Sequence, residues 1–536
     1  MRKQLLFLGA ITLALGSVSM VGCGGRQSKE DQYVDGKLAI SIRNLYFSGY
    51  AGGDNYLKEI EDKFEVSFTL TDYQWDQWET QINGAISADN LTDVFHANID
   101  SYNFSNYYKD WAMDEMIKPL PSDLSRWPEI KKMIDNTTNI DSLKINGKLY
   151  GIPIAKRTDD PSTTYSPFTY IYRRDWAKEW GVYQENDEYT WEEFETLLET
   201  FRANLASTNR YALCDVPWGF PSIPNFYKQV PHCFAQDETG KYVNNYTTDA
   251  YIEGLEMAKK FKDNDWYYPD QNDVGETKSR ELYTSNKVGV YYENLSYENF
   301  VKIKTMLRDN NASVAGFDLD EATAIMKIRG SEDNQYSANQ YVLEGTDNWF
   351  SMTFFDFKIS DQKMYKVLDI LDWLLSEEGT LFAVYGFEDY DFVINEQTGK
   401  AEIVEDYWPK DKYTGEYLPK TNGARYLRYL ASLGYDLLED DPLTDKKALE
   451  YLNNWDKEMK TAYEKGELKV LKESKEVMWL TTEKKAFNSG NMRKNALNNV
   501  MKYIYGTIAT IDEFKGTFGN IWNSVLEEIN TALGKK

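Results

Sequence analysis

Between Leu38 and Ala97 the apolar residues change period four times. LAISI reads as a strand, and NYLKEIEDKF places Tyr56, Ile60 and Phe64 on one helical face. VSFTLT then alternates Val66, Phe68 and Leu70 as a strand, WDQWETQINGAI aligns Trp75, Trp78, Ile82 and Ile86 on a helix, and TDVFHA is a third strand. Strands alternating with helices imply right-handed crossovers and a mostly parallel sheet covered on both faces. The fold class expected is therefore open α/β. Asn146-Gly147 is a strong type I′ turn signal, since both residues tolerate positive φ. The strand after it contains Pro153, which cannot donate to a ladder, so that strand is an edge or is leaving its sheet.

A second α/β unit follows. TYIYRRDW is a strand entering a helix, and TWEEFETLLETF opens with Thr190 and Glu193 as a capping box, burying Phe194, Leu197, Leu198 and Phe201. YALCD is a strand, VPWGFPSIPNFY a ring-rich loop, 248–263 a helix and KVGVYYEN a strand. Residues 361–378 read as one helix, with Val367, Leu371 and Leu374 inward and Gly379 as its C-cap. The last 150 residues are mainly helical, with Ile511, Phe514, Phe518, Ile521 and Val525 at helical spacing.

A chain of 536 residues with 42% hydrophobic and 27% charged content is too long for a single core. Its net charge of -26, from 86 acids against 60 bases, argues against a nucleic-acid partner and against docking on anionic lipid. The 40 Tyr, 15 Trp and 25 Phe are more large rings than a core of this size usually holds. A compositional habit of the source organism is the plainer explanation of that excess.

The first residues combine a basic start, an apolar run from Leu5 to Leu15 and small residues before Cys23, which reads as a secretory signal too short to span a membrane. Met20-Val21-Gly22-Cys23 resembles a bacterial lipobox, which implies acylation of Cys23 and a flexible tether through residues 24–36. In the oxidising space outside the cell Cys214 and Cys233 could pair, although two buried thiols is the plainer reading.

Catalytic motifs are missing. The chain has no GxSxG, HExxH, GxxxxGK[ST], GxGxxG or EF-hand pattern, and His96 and His232 are its only histidines. Glycoside hydrolysis needs only two carboxylates, so composition does not exclude it. Ligands of open α/β sheets sit beyond the carboxyl ends of the strands. That rule selects Arg43, Tyr46, Asn98, Asp100 and Tyr102 in the first unit and Glu293, Asn294 and Tyr297 in the second. Trp218 and Phe220, between prolines in a loop, are rings hard to explain as core. A cap or ion pair is the plainer role for each polar candidate.

The order of NGKLYGIPIA, TYIYRRDWAKEWGV, YTWEEFETLLETF, KVGVYYENLSYENF and VLDILDWLLSEEGTLFAVYGF, behind a lipobox, resembles the extracellular solute-binding lipoproteins of ABC sugar importers. These form the maltose-binding-like family. Within it, the chain is most similar to the large branch associated with oligosaccharides from complex polysaccharides, such as aldouronates. The resemblance implies a two-lobed periplasmic-binding-protein-like fold of type II, with a hinge that closes on ligand. It implies a first lobe of 37–154 plus 312–378 and a second of 155–311 plus 379–536, behind a 1–23 signal and a 24–36 tether. It also makes Tyr297 and Trp349 stacking rings. Where the branch usually has a glycine-bearing turn, this chain has Glu388-Asp389-Tyr390.

Sugars fit this composition, because aromatic plates match their C–H faces and carboxylates or amides match their hydroxyls. The expected function is capture of an oligosaccharide and its delivery to a permease by a lipid-anchored monomer. No nucleic acid and no cofactor is expected, and structural calcium is conceivable but unsupported by a motif. A surface-anchored glycan hydrolase, a same-fold binder of peptides or other solutes, and an adhesin without a closable cleft are the alternatives.

Overall fold

The computed structural model describes residues 30–535, apart from 48–49, 51, 74–76, 100–106, 156–162, 166–167, 216–221, 232, 270–275, 331–340, 345–347, 411–416, 433–442 and 473–488. Cys23, Trp75, Asp100, Tyr102, Trp218 and Phe220 lie outside the described residues.

The chain begins as the alternating pattern predicts. Strand β1 (Lys37–Asn44) leads to α1 (Asn55–Lys63), β2 (Val66–Asp72), α2 (Trp78–Ser87) and β3 (Val94–Ala97). Strand β1 pairs parallel with both β2 and β3. The turn at Asn146-Gly147 has φ of 51° and 75°, as a type I′ hairpin requires, and feeds β4 (Gly151–Ala155).

The next described strand, β5 (Thr163–Tyr165), belongs to another sheet. The chain then builds β6 (Phe168–Tyr172), α3 (Trp191–Leu205), β7 (Tyr211–Cys214), α4 (Asp249–Asp263), β8 (Val288–Asn294), α5 (Tyr297–Asn310) and β9 (Ala324–Ile325). Their strands form one sheet in the order β9-β6-β8-β7. Helix α3 opens on the expected capping box, Thr190 with Glu193, and buries Phe194, Leu197, Leu198 and Phe201. Cys214 and Cys233 are buried and form no disulfide with each other.

Strand β10 (Tyr341–Glu344) pairs with β5, and β11 (Trp349–Phe355) then returns to the first sheet. There it lies antiparallel between β3 and β4. With the short Tyr33–Val34 strand also pairing with the start of β1, the rest of the first sheet reads β2-β1-β3-β11-β4, and Pro153 lies on its edge strand, where a residue without an N–H is tolerated. After β11 come α6 (Asp361–Leu375), α7 (Glu377–Tyr385), α8 (Gly423–Arg428), α9 (Lys446–Glu464) and β12 (Lys469–Lys472). Strands β5 and β10 lie in segments that join the two lobes, and with β12 they make a separate three-stranded sheet.

Three expectations need correction. Residues 312–328 stay in the second lobe, because Ala324 and Ile325 pair with Tyr172 and Ile171 and Met326 and Ile328 fill its core. The described residues of 379–431 stay in the first, where Ala383, Ala424, Leu427 and Leu430 join its core. An amphipathic stripe says that a helix is buried, not which core receives it. The helix over 361–378 is two helices: the Ser376 hydroxyl donates to the Trp373 carbonyl at 2.6 Å and accepts from the Gly379 N–H at 3.2 Å. Gly379 is thus in the first turn of α7, and a Cβ there would stand 1.9 Å from the Trp373 carbonyl oxygen. In the turn after α7, Asp389 itself adopts φ of 65°, the region glycine usually supplies.

Candidate functional site

Strand direction locates the site. In the first sheet β11 runs antiparallel to β3 and β4, so the edge where β4 leaves is the edge where β11 enters and where β1, β2 and β3 end. In the second sheet β8 runs antiparallel to β6, so Glu293 and Asn294 lie beside Thr169 and Phe168, at the end where β6 enters. The carboxyl ends of the parallel strands in both sheets therefore flank the joining segments.

On the first-lobe rim, Asn44 closes β1 and its side-chain oxygen accepts from the Tyr46 N–H at 3.0 Å. This Asx turn launches a short 3-10 segment, Leu45–Phe47, that buries Leu45 and Phe47 and leaves Tyr46 half-buried. The Tyr46 ring lies 5.3 Å from His96 and 5.3 Å from Tyr429. Tyr429 meets Tyr426 edge-on at 6.3 Å, and Tyr426 stacks on Tyr50 at 4.2 Å. A row of rings thus borders the strand ends. Its far half comes from α8, more than 370 residues along the chain, and sequence reasoning missed it. The available signal was the i, i+3 repeat of Tyr in RYLRYL.

Asn98 follows β3, is half-buried and makes no side-chain hydrogen bond among the described residues. His96 is fully buried opposite Thr353, and neither its ring nitrogens nor the Thr353 hydroxyl has a partner among the described residues. Burial pushes the His96 pKa down to about 3, so the imidazole is neutral and offers one donor and one acceptor.

Arg43 is displaced from its expected place. It faces the same side of β1 as Ser41, donates from Nε to the Thr71 hydroxyl at 3.2 Å and approaches the Tyr73 ring at 6.0 Å, so it lies along the sheet toward α2. Trp349 is also corrected: it is 3% exposed in the first core and donates to the Thr138 carbonyl at 3.3 Å.

The second-lobe candidates serve the fold. Glu293 is fully buried and accepts from Arg280 at 3.0 and 3.2 Å, from the Asn294 N–H at 2.8 Å and from the Tyr291 hydroxyl. Asn294 accepts from the Ser296 N–H at 3.1 Å, shaping the turn into α5. The Tyr297 hydroxyl accepts from the N–H of Asp445, the N-cap of α9, at 2.7 Å. Buried charges must be paired, and loop amides hydrogen-bond their own backbone, so strand-end position alone does not separate ligand groups from groups the fold uses.

Asp215, immediately after β7, was missed. It is fully buried and accepts from Tyr170 at 2.8 Å, from Tyr267 at 3.1 Å, and from both the N–H (3.0 Å) and the hydroxyl of Ser222. It ties together the two residues that flank 216–221. Burial pushes its pKa up to about 6 against those four hydrogen bonds, and desolvation also holds Tyr170 and Tyr267 well above the usual phenol range. The signal available in the sequence was the acid ending YALCD.

Two α/β sheets joined through a third small sheet define a two-lobed binding protein. A family model described as bacterial extracellular solute-binding protein matches residues 55–384, more than half of the chain, and the chain belongs to that family. A polygalacturonan/rhamnogalacturonan-binding protein of Bacillus subtilis (strain 168) is 23% identical over 313 residues, covering 55% of this chain and 57% of that protein. The chain therefore spans a little over half the length of this curated relative. An alginate-binding protein solved without calcium ion superposes with a TM-score of 0.60 at 13% identity, over 93% of this chain and 95% of that one. An S. pneumoniae ABC-transporter substrate binding protein in complex with kestose gives 0.58 at 14% identity, over 93% and 100%. These two likenesses establish the fold.

Proposed function

We propose that this protein captures an oligosaccharide outside the cell between its two lobes and hands it to the permease of an ABC transporter. The observation that carries the reading is the row of half-buried rings Tyr46, Tyr429 and Tyr426 at the strand ends, backed by the buried ring of Tyr50 and beside the half-buried amide of Asn98. Rings present flat faces to the C–H surface of a pyranose, and an amide matches its hydroxyls. A micromolar complex needs about 8 kcal/mol, which a few stacked rings and several hydrogen bonds supply.

The relatives support a carbohydrate ligand: one is named for polygalacturonan and rhamnogalacturonan, one for alginate, and one is seen with kestose. Asp215 and Glu293, the buried carboxylates at the second-lobe strand ends, are both occupied by internal donors, which suits structural roles for them in a binding protein. In this reading no cofactor is required, Cys23 carries the lipid that holds the protein at the extracellular face of the cell membrane, and the binding unit is a monomer. Calorimetric titration with oligosaccharides cut from pectin, alginate and fructan tests it. Saturable heat with an unchanged ligand supports it; no heat with any of them, alongside hydrolysis of one, would favour a glycan hydrolase.

A further inference from the structure

A groove of about 840 Å³ opens on the first lobe between the β1–β3 face of the sheet and α2. This falls within the range of small-molecule sites. The space is a consequence of α2, whose Gly84, Ala85 and Ala88 line it. A Cβ added at Gly84 would meet no atom within 4 Å, although alanine there would favour the helix.

The groove also holds polar capacity that the fold leaves unspent. Among the described residues, Lys363, with its side chain 8% exposed, donates from its ammonium only to Asp93 Oδ2, at 3.1 Å. That same oxygen takes the Ser41 N–H at 2.8 Å and the Ser41 hydroxyl at 2.9 Å, so Asp93 Oδ1 has no hydrogen-bond partner among the described residues. Among the described residues, Arg43 donates only from Nε, to Thr71. Two cations that share one wall therefore keep charge-assisted donors in reserve, and one carboxylate oxygen between them keeps an acceptor. A buried ammonium with a single partner is costly unless something else accepts from it.

We propose that this groove is a second sugar site, confined to the first lobe, for one uronic-acid residue. Its carboxylate meets Lys363 and Arg43, and a hydroxyl donates to Asp93 Oδ1. The only other carboxylate on the lining, Glu30, is exposed. The choice of a sugar rests on the proposed function; the preference for an anionic one rests on the unspent cationic donors. Because all of these groups belong to one lobe, occupation does not depend on closure of the two lobes.

Saturation-transfer NMR and calorimetry with glucuronate and glucose test this on the full-length protein. The expected result is glucuronate binding at least tenfold tighter than glucose, unchanged in Tyr46→Ala, and weakened at least tenfold in Gly84→Phe, which fills the groove without touching the ion pair. Lys363→Met should lose binding as well, with Gly84→Phe the deciding variant if that protein folds poorly. Gly84→Phe should keep its affinity for any oligosaccharide held at the ring row, which separates failure of this site from failure of the transport reading. No binding of glucuronate, equal binding of glucose, loss in Tyr46→Ala, or full binding in Gly84→Phe would each overturn the proposal.

Discussion

Asp215→Asn isolates one buried charge and makes its cost measurable. In the folded protein the carboxyl titrates at about 6, against 3.8 ordinarily, because burial outweighs four hydrogen bonds that favour the charged form. At about 1.4 kcal/mol for each tenfold change, the difference corresponds to about 3 kcal/mol. A folded pKa above the unfolded one means that the native state holds the proton more tightly. The contribution is therefore fully present below about pH 4 and is lost as pH rises through about 6. Asparagine has no proton to lose. Its oxygen can take the Ser222 N–H and the Tyr267 hydroxyl, and its NH2 can donate to the Tyr170 and Ser222 hydroxyls, which rotate to accept. The variant should therefore gain about 2 kcal/mol relative to the parent between pH 4 and pH 7. Urea unfolding of both proteins at pH 4, 5, 6 and 7, followed by tryptophan fluorescence, measures that gap. A gap constant across the range would refute the reasoning, and would mean that hydrogen bonds fully offset the loss of hydration.

Three further outcomes follow from the site and its supports. Glu293→Gln leaves Arg280 buried without its carboxylate and should cost about 3–5 kcal/mol, read as a lower melting temperature; an unchanged melt would return Glu293 to the list of ligand groups. Tyr46→Ala should weaken oligosaccharide binding by about tenfold in calorimetry and, because the half-buried ring also packs on the first core, lose about 1–2 kcal/mol in denaturant unfolding; equal affinity would remove the ring from the site. Thr190→Ala should lose about 1 kcal/mol in denaturant unfolding, since it deprives the Glu193 N–H at the start of α3 of its acceptor; no loss would show that water satisfies that end equally well.

How far the sequence could be read depended on the range of the interaction involved. The Asn146-Gly147 turn, the Thr190 cap and the alternation of β1 each depend on residues within a few positions, and each is present as expected. The helix over 361–378 failed because a hydrophobic stripe continues smoothly across Ser376, while the break depends on where that hydroxyl finds its partners. Glu293 and Trp349 were selected by position and turned out to be claimed by Arg280 and by Thr138 and the first core, respectively. Tyr426 and Tyr429 carried no strand-end position at all, so nothing local marked them as neighbours of Tyr46.

The sequence by itself determined the alternating strands and helices, the edge placement of Pro153, the lack of known catalytic motifs and the acidic surface, because each is set by local periodicity or by composition. Only the tertiary structure decided which lobe owned each returning segment, which acids were spent on internal donors and which rings came to line the strand ends. Those outcomes depend on desolvation and packing between residues far apart in the chain: Asp215 is buried against Tyr267, 52 positions on, and Tyr46 meets Tyr429, more than 380 positions on, only because the folded backbone brings them together.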